Sequence, residues 1–271
     1  MQFTENPMQP KFQLAIIFAL LLLTSLTACG TGNADNPQVV LPILQTSDPN
    51  SSATASEICS NTLYPAPQGA TWVYTSMGGP NGTFDYTNSI TEVRTDGFTL
   101  TTQFADHART QEWVCESGGL KALQLGGGSA EGISVLGMTS SLTTLEATGI
   151  NIPTNITQGM QWQYGLSLEG TVVMPDNPQA PAKGTYLAVV QEMGKETVTV
   201  PAGTFETVKI QSTSTVDIMS VFAGADAPIN FNGTTITWYA PGVGYIKSVE
   251  NGGFGGEAFS TTTELQSYSI P

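Results

Sequence analysis

A hydrolytic nucleophile needs a base within reach, and this chain carries one imidazole, His107. Asp106 directly precedes it, but neighbouring residues on a strand point to opposite faces, which is a poor way to orient a ring. His107 therefore reads as an exposed residue of the turn region 105–109. Gly165-Leu-Ser-Leu-Glu-Gly170 places a serine between glycines as a nucleophile elbow does. Its second glycine falls one place too far, and no strand-turn-helix pattern surrounds it. Paired carboxylates could hydrolyse a glycoside if two stood at the right separation, and 22 acidic residues keep that reading open as a third choice. Asp176 and Asp226 read as solvated loop acids. A single His and so few cysteines do not compose a zinc site, no D-x-D-x-D-G calcium loop occurs, and Gly126-Gly127-Gly128 lacks the lysine of a phosphate loop. No catalytic residue, metal or cofactor is assigned, and the expectation is a protein that is not an enzyme.

The clearest chemistry lies near the N-terminus. Leu14 to Leu23 reads LAIIFALLLL, preceded by Lys11 and followed by Thr24 and Ser25. Such a run is too short to cross a hydrocarbon core of about 30 Å as a helix, and it has the layout of a secretory signal. Met8 is an alternative start to Met1 and leaves the more usual signal peptide. Directly after the run, Leu26-Thr27-Ala28-Cys29 resembles the lipobox of bacterial lipoproteins. The resemblance implies cleavage before Cys29 and a lipidated thiol, with palmitate among the expected chains. Two or more acyl chains hold a protein firmly on a bilayer, since each buried methylene contributes about 0.8 kcal/mol. The expected location is the cell envelope, on the outer face of the cytoplasmic membrane or on an outer membrane where one exists. Gly30 supplies no acidic retention signal.

Residues 1–28 thus read as a lipoprotein signal peptide and 29–56 as a flexible tether rich in Asn, Ser, Pro and Gly. Within the tether, Val39 to Leu44 is a short apolar patch that either docks on the domain or lies near the membrane. Residues 57–271 remain for the folded part. Export leaves Cys59 and Cys115 in a compartment where disulfides persist, and one pairing is available to them; two buried free thiols are the alternative. The formal net charge of -14 comes with only 11% charged residues. Such a surface repels phosphate backbones, so nucleic acid is not expected as a partner, and the acidity is read first as a solubility device.

Beyond Glu57 the pattern is β: Thr, Val, Ile, Tyr and Trp alternate with polar residues between turn dipeptides. Asn81-Gly82, Asp96-Gly97 and Asn232-Gly233 are each expected to join adjacent antiparallel strands. VTVPAGTFETVKI at 198–210 and TWYAPGVGYIKSV at 237–249 read as two further hairpins, the second with Pro241-Gly242 at the centre of a type II turn. Residues 260–270 suit a final strand, and 133–147 suit strands or a brief helix. Gly69-Ala-Thr-Trp72-Val-Tyr74 recurs as Gly159-Met-Gln-Trp162-Gln-Tyr164, and each copy is followed later by a second tryptophan, Trp113 and Trp238. This suggests two related halves, about 57–150 and 151–271, of one curved sheet. The tryptophans read as core anchors ahead of a sugar- or lipid-binding surface.

The segments VTVPAGTFETVKI, WYAPGVGYIKS and LYPAPQGATWVY at 63–74 resemble motifs of the TapB-like exported bacterial proteins, which are similar to the half-barrel sheets of lipoprotein-carrier type. The resemblance covers most of residues 60–270. It implies an all-β, antiparallel, strongly curved open sheet or half-barrel, and it brings no catalytic residues. The functional expectation is a membrane-anchored, non-enzymatic module, ligand-binding or envelope-associated, whose ligand the residues do not name and for which a lipid or other small apolar molecule is the candidate. The alternative is a structural or protein-interaction lipoprotein whose partner the residues do not name.

Overall fold

The computed structural model describes residues 59–79, 82–125, 139–173, 179–222, 225–254 and 257–271. Cys29, the tether patch 39–44, Gly126 to Gly128 and Asp176 lie outside them. The described chain is all-β and antiparallel, one large sheet that is not closed into a barrel. In chain order its strands are β1 (Thr71–Gly78), β2 (Phe84–Val93), β3 (Gly97–Gln103), β4 (Ala108–Glu116), β5 (Gly119–Ala122), β6 (Thr139–Gly149) and β7 (Ile152–Pro153), then β8 (Gln161–Val173), β9 (Ala180–Val200), β10 (Gly203–Phe222), β11 (Ala225–Ala240), β12 (Gly244–Phe254) and β13 (Glu257–Ser269). Across the sheet they lie in the order β6-β8-β9-β10-β11-β12-β13-β1-β2-β3-β4-β5-β7. Two meanders, β1 to β5 and β8 to β13, are thus joined where β13 pairs with β1.

Most hairpins follow the local turn chemistry. Gly203 pairs with Val200 across the turn at Pro201 and Ala202. Gly242, at φ 77°, supplies the left-handed residue of the turn between β11 and β12. β1 pairs with β2 and β2 with β3, as Asn81-Gly82 and Asp96-Gly97 suggest, although Asn81 itself is outside the described residues. Asn232-Gly233 is the correction: it makes no turn. Asn232 sits inside β11, opposite Thr215 of β10 and Gly253 of β12. Two continuous ladders override the local preference of the dipeptide, because each strand residue there is held from both sides. Of the stretch 133–147, residues 139–147 belong to the strand β6, and 133–138 lie outside the described residues.

The curvature follows from the link between β6 and β7. These two strands lie at opposite edges of the sheet, yet only Ile150 and Asn151 separate them. Three Cα steps of about 3.8 Å bridge the gap, so the edges must nearly meet at this end. The Ile150 N–H donates to the Gln163 carbonyl of β8 (3.2 Å), and the Asn151 N–H donates to the Leu120 carbonyl of β5 (2.9 Å). β6 belongs to the first half in sequence but pairs with β8, and β7 belongs to the second but pairs with β5, so the halves exchange edge strands.

The segment before β1 crosses the same end. Cys59 is bonded to Cys115 of β4. Asn61, buried, donates its amide to the Pro153 carbonyl (3.1 Å) and turns the Leu63 N–H onto its own Oδ1 (2.9 Å). The Thr62 carbonyl accepts from the Gly242 N–H (2.7 Å), and Leu63 packs with Ala188, Val190 and Ile210. One short segment therefore ties β4 and β7 to β9, β10 and the β11–β12 turn. Tyr64 carries it into the core, stacked with Trp113 (5.2 Å), Phe98 (6.1 Å) and Trp72 (6.5 Å). A second apolar cluster, Val172, Ala182, Val216, Ile218, Ile229 and Phe231, is built from β8 to β11 on the other side of the interior.

Candidate functional site

Both copies of Gly-x-x-Trp-x-Tyr lead the chain into a strand. Gly69 and Gly159 stand at φ 87° and 73°, a conformation that costs glycine little, and each precedes the first residue of a strand by two positions. The Trp72 indole donates to the Val243 carbonyl (2.7 Å), and Trp162 donates to the Asn151 carbonyl (3.1 Å). Tyr74, two residues on, reaches the Tyr245 carbonyl (2.9 Å), and Tyr164 reaches the Ala122 carbonyl of β5 (2.6 Å). Tyr164 thus spans from β8 to β5 across the concave side. Burial raises the pKa of the Tyr64, Tyr74 and Tyr164 hydroxyls above the ordinary tyrosine range, so they stay neutral, and those of Tyr74 and Tyr164 serve as donors.

The interior holds a cavity of about 260 Å³, lined by residues of both meanders. Its polarity comes from cross-strand rows. On one wall, Ser212, Thr235, Glu250 and Thr261 are direct partners from β10 to β13, and all four line the cavity. The adjacent row brings Thr237, Ser248 and Thr263 to it. On the other wall, Asn88, Thr102 and Arg109 are direct partners from β2 to β4, and the Thr102 hydroxyl donates to Asn88 Oδ1 (2.7 Å). Aromatic rings complete the lining: Tyr64, Tyr86, Phe104, Trp113, Tyr186, Tyr239 and Tyr245. An inward row on a curved sheet is ordinarily apolar, so a run of hydroxyls with an acid in it is a departure with a cost.

Glu250 carries most of that cost. It is 7% exposed, no hydrogen bond or ion pair joins its carboxyl to another described residue, and its carboxyl oxygens keep open surface on the cavity side. Loss of water by burial pushes its pKa up to about 7. Arg109 stands with its guanidinium carbon 6.0 Å from the Phe104 ring centre. No ion pair joins Arg109 to Glu250, so their charged atoms are more than 4.0 Å apart.

The residues singled out from sequence are scattered over the molecule. His107 is exposed and stacks on Phe104 (4.6 Å). Contrary to the strand-based expectation, Asp106 and His107 do meet: Nδ1 lies 2.7 Å from Asp106 Oδ1, because both occupy the β3–β4 turn rather than a strand. Their exposure keeps the pair out of any enclosed site. Asp226 is exposed on β11, opposite Val221. Gly165 to Gly170 lies within β8, where Leu166 and Leu168 are buried, so Ser167 heads no elbow. Trp113 lines the cavity, whereas Trp238 points away from it, donating its indole N–H to Glu196 beneath the Lys209 ammonium (5.3 Å from the ring centre). Among the described residues, Glu250 is the single acid lining the cavity, so a paired-carboxylate mechanism has no second acid there.

Sequence reasoning missed Glu250. The available signal was phase: it falls two and four residues after Ser248 and Ile246, and Ile246 is buried.

No curated protein matches the chain. Among solved structures, it is similar to a protein of Parabacteroides distasonis described as a lipoprotein, at 15% identity and TM-score 0.41, covering 77% of this chain and 99% of that one. It is also similar to an exported protein with a YmcC-like fold from Bacteroides fragilis, at 13% identity and TM-score 0.45, covering 78% and 100%. A third is the hypothetical lipoprotein YmcC of Escherichia coli, at 13% identity and TM-score 0.34, covering 82% and 91%. A family model described as DUF3108-like matches residues 132–270, just over half of the sequence. The chain thus belongs to the DUF3108-like family, a match that does not itself carry the TapB-like name suggested by the motifs.

Proposed function

We propose that this protein is an exported lipoprotein, held to a membrane through lipid on Cys29, whose half-barrel binds a small molecule without transforming it. The observation that carries the binding reading is the cavity of about 260 Å³ between the two meanders, with an uncompensated acid in its wall. Strained or unpaired polar groups that serve no packing purpose concentrate at functional sites. The volume lies just below the ~300–1,000 Å³ of typical small-ligand sites, which suits a small molecule better than a diacyl lipid. The mixed lining moves the expected ligand from purely apolar to amphipathic, with aromatic faces for a ring or chain and hydroxyls for polar groups. The anchor is supported by the order of apolar run, small residues and Cys29 in the sequence.

Native mass spectrometry of the mature lipoprotein, extracted in detergent from its own envelope, tests this reading. A bound mass of small-molecule size is expected, lost when Thr235→Trp fills the cavity. An unliganded protein, or an adduct indifferent to that substitution, would count against it. For the anchor, Cys29→Ser is expected to leave unprocessed precursor, read by gel mobility, and normal maturation would contradict the assignment.

One observation favours the second reading, a protein-interaction lipoprotein. Leu187, Val189 and Met193 along β9 are exposed at 45%, 42% and 47%, a short apolar row on the convex face. Photo-cross-linking from position 189 would recover a partner if that row is an interface.

A further inference from the structure

The two polar walls of the cavity carry opposite charges. Glu250 lies in the row Ser212-Thr235-Glu250-Thr261, and Arg109 ends the row Asn88-Thr102-Arg109. They are the charged residues among those lining the cavity, and no ion pair within 4.0 Å joins them. A protein that needed only a filled core would place apolar residues at both positions, or let the two pair. Glu250 instead is largely desolvated, with its carboxyl facing the cavity and no donor from a described residue upon it.

We infer that the cavity takes a small zwitterion of amino-acid type, its ammonium on Glu250 and its carboxylate toward Arg109, with the rest of the molecule among the rings. This rests on the ligand-binding reading above. An ammonium would return to Glu250 the counter-charge it lacks and hold it ionised. A carboxylate is the natural partner of a guanidinium fork. Tyr86, Tyr239 and Tyr245 add ring faces to the cavity lining for the rest of the molecule. Neither charge alone explains the arrangement: a simple amine would leave Arg109 repelling it across the cavity, and a simple acid would meet Glu250.

The test uses three matched probes, L-phenylalanine, phenethylamine and 3-phenylpropionate, titrated calorimetrically into the detergent-solubilised mature protein after removal of bound ligand. Phenylalanine is expected to saturate one site at least about tenfold more tightly than either analogue, a difference of roughly 1.4 kcal/mol. Glu250→Gln, near-isosteric and relieved of a buried charge, is expected to fold normally. It should weaken phenylalanine at least about tenfold without weakening 3-phenylpropionate, which loses its clash with the Glu250 charge. Arg109→Gln should do the mirror image, sparing phenethylamine. An analogue with one charge binding as tightly as phenylalanine, or both variants binding it unchanged, overturns the inference and leaves the binding cavity standing. Silence from all three probes also overturns it, and the co-purification experiment decides the cavity reading separately.

Discussion

Trp72 and Trp162 open the two meanders in the same way. Each follows a left-handed glycine, donates its indole N–H to a backbone carbonyl, and is followed two residues on by a buried tyrosine whose hydroxyl reaches another strand. The second tryptophans diverge. Trp113 is part of the cavity wall, while Trp238 sits on the opposite face under Lys209. The shared opening is thus a device for fixing where each meander begins and how it ties to its neighbours. What faces the interior beyond it is free to differ. Both walls supply aromatic rings, but one carries the base and the other the longer hydroxyl rows and the acid, and the cavity owes its polarity to that asymmetry.

The sharpest way to break the parallel is to remove the two opening tryptophans one at a time. Trp72 is almost fully buried, and Trp72→Ala is expected to cost about 3–5 kcal/mol by urea denaturation. Trp162 is only partly buried, so Trp162→Ala should cost distinctly less. Equal losses would mean that both tryptophans bear the same load despite their different burial.

The disulfide belongs to one meander alone, closing a separation of 56 residues between Cys59 and Cys115. Replacing both cysteines by serine is expected to destabilise by about 2–4 kcal/mol, largely through the unfolded chain. Hydrogen exchange should show β4 and β5 opening before β9 and β10, and uniform opening would argue against an uneven staple.

The acid in the second wall gives a pH signature. Its pKa is about 7 in the folded protein against an ordinary value of 4.5. Between those values the unfolded chain has already lost the proton that the folded one keeps. Stability therefore falls as pH rises from about 4.5 to about 7, and the penalty is absent below that window and constant above it. Glu250→Gln should abolish the fall, making the ligand-free variant more stable at pH 8 by up to about 3 kcal/mol and no different at pH 4. Matching pH profiles for the two proteins in thermal denaturation would contradict the burial of that carboxyl.

The smallest effects compare the two tyrosines. Tyr74→Phe and Tyr164→Phe each remove one buried hydroxyl donor, for an expected loss of about 1 kcal/mol apiece. The Tyr164 variant should also loosen β5, whose Ala122 carbonyl loses its partner, and exchange at that strand reads this change.

Much of the frame was legible from local chemistry. Pro201 with Gly203, and Pro241 with Gly242, encode hairpins that nothing else in the sheet opposes, and the repeated Gly-x-x-Trp-x-Tyr marked where β1 and β8 begin. Asn232-Gly233 misled because a dipeptide reports only its own preference, and β10 and β12 both hold β11 straight through it. The cavity was not legible at all. Glu250 in Ser-Val-Glu-Asn-Gly-Gly looks like any solvated strand acid until Ile246 is known to face inward and the two edges are known to converge. That knowledge depends on Ile150 and Asn151 joining opposite sides of the sheet, a long-range fact with no local signature.

Whether the two unlike walls enclose a ligand is decided by a high-resolution crystal structure of the mature protein, purified from its own envelope without exchange of bound molecules. Continuous density of a small molecule is expected between the Glu250 and Arg109 walls, with contacts to the threonine row. A cavity holding only ordered water, or one closed by its own side chains, would contradict ligand binding there.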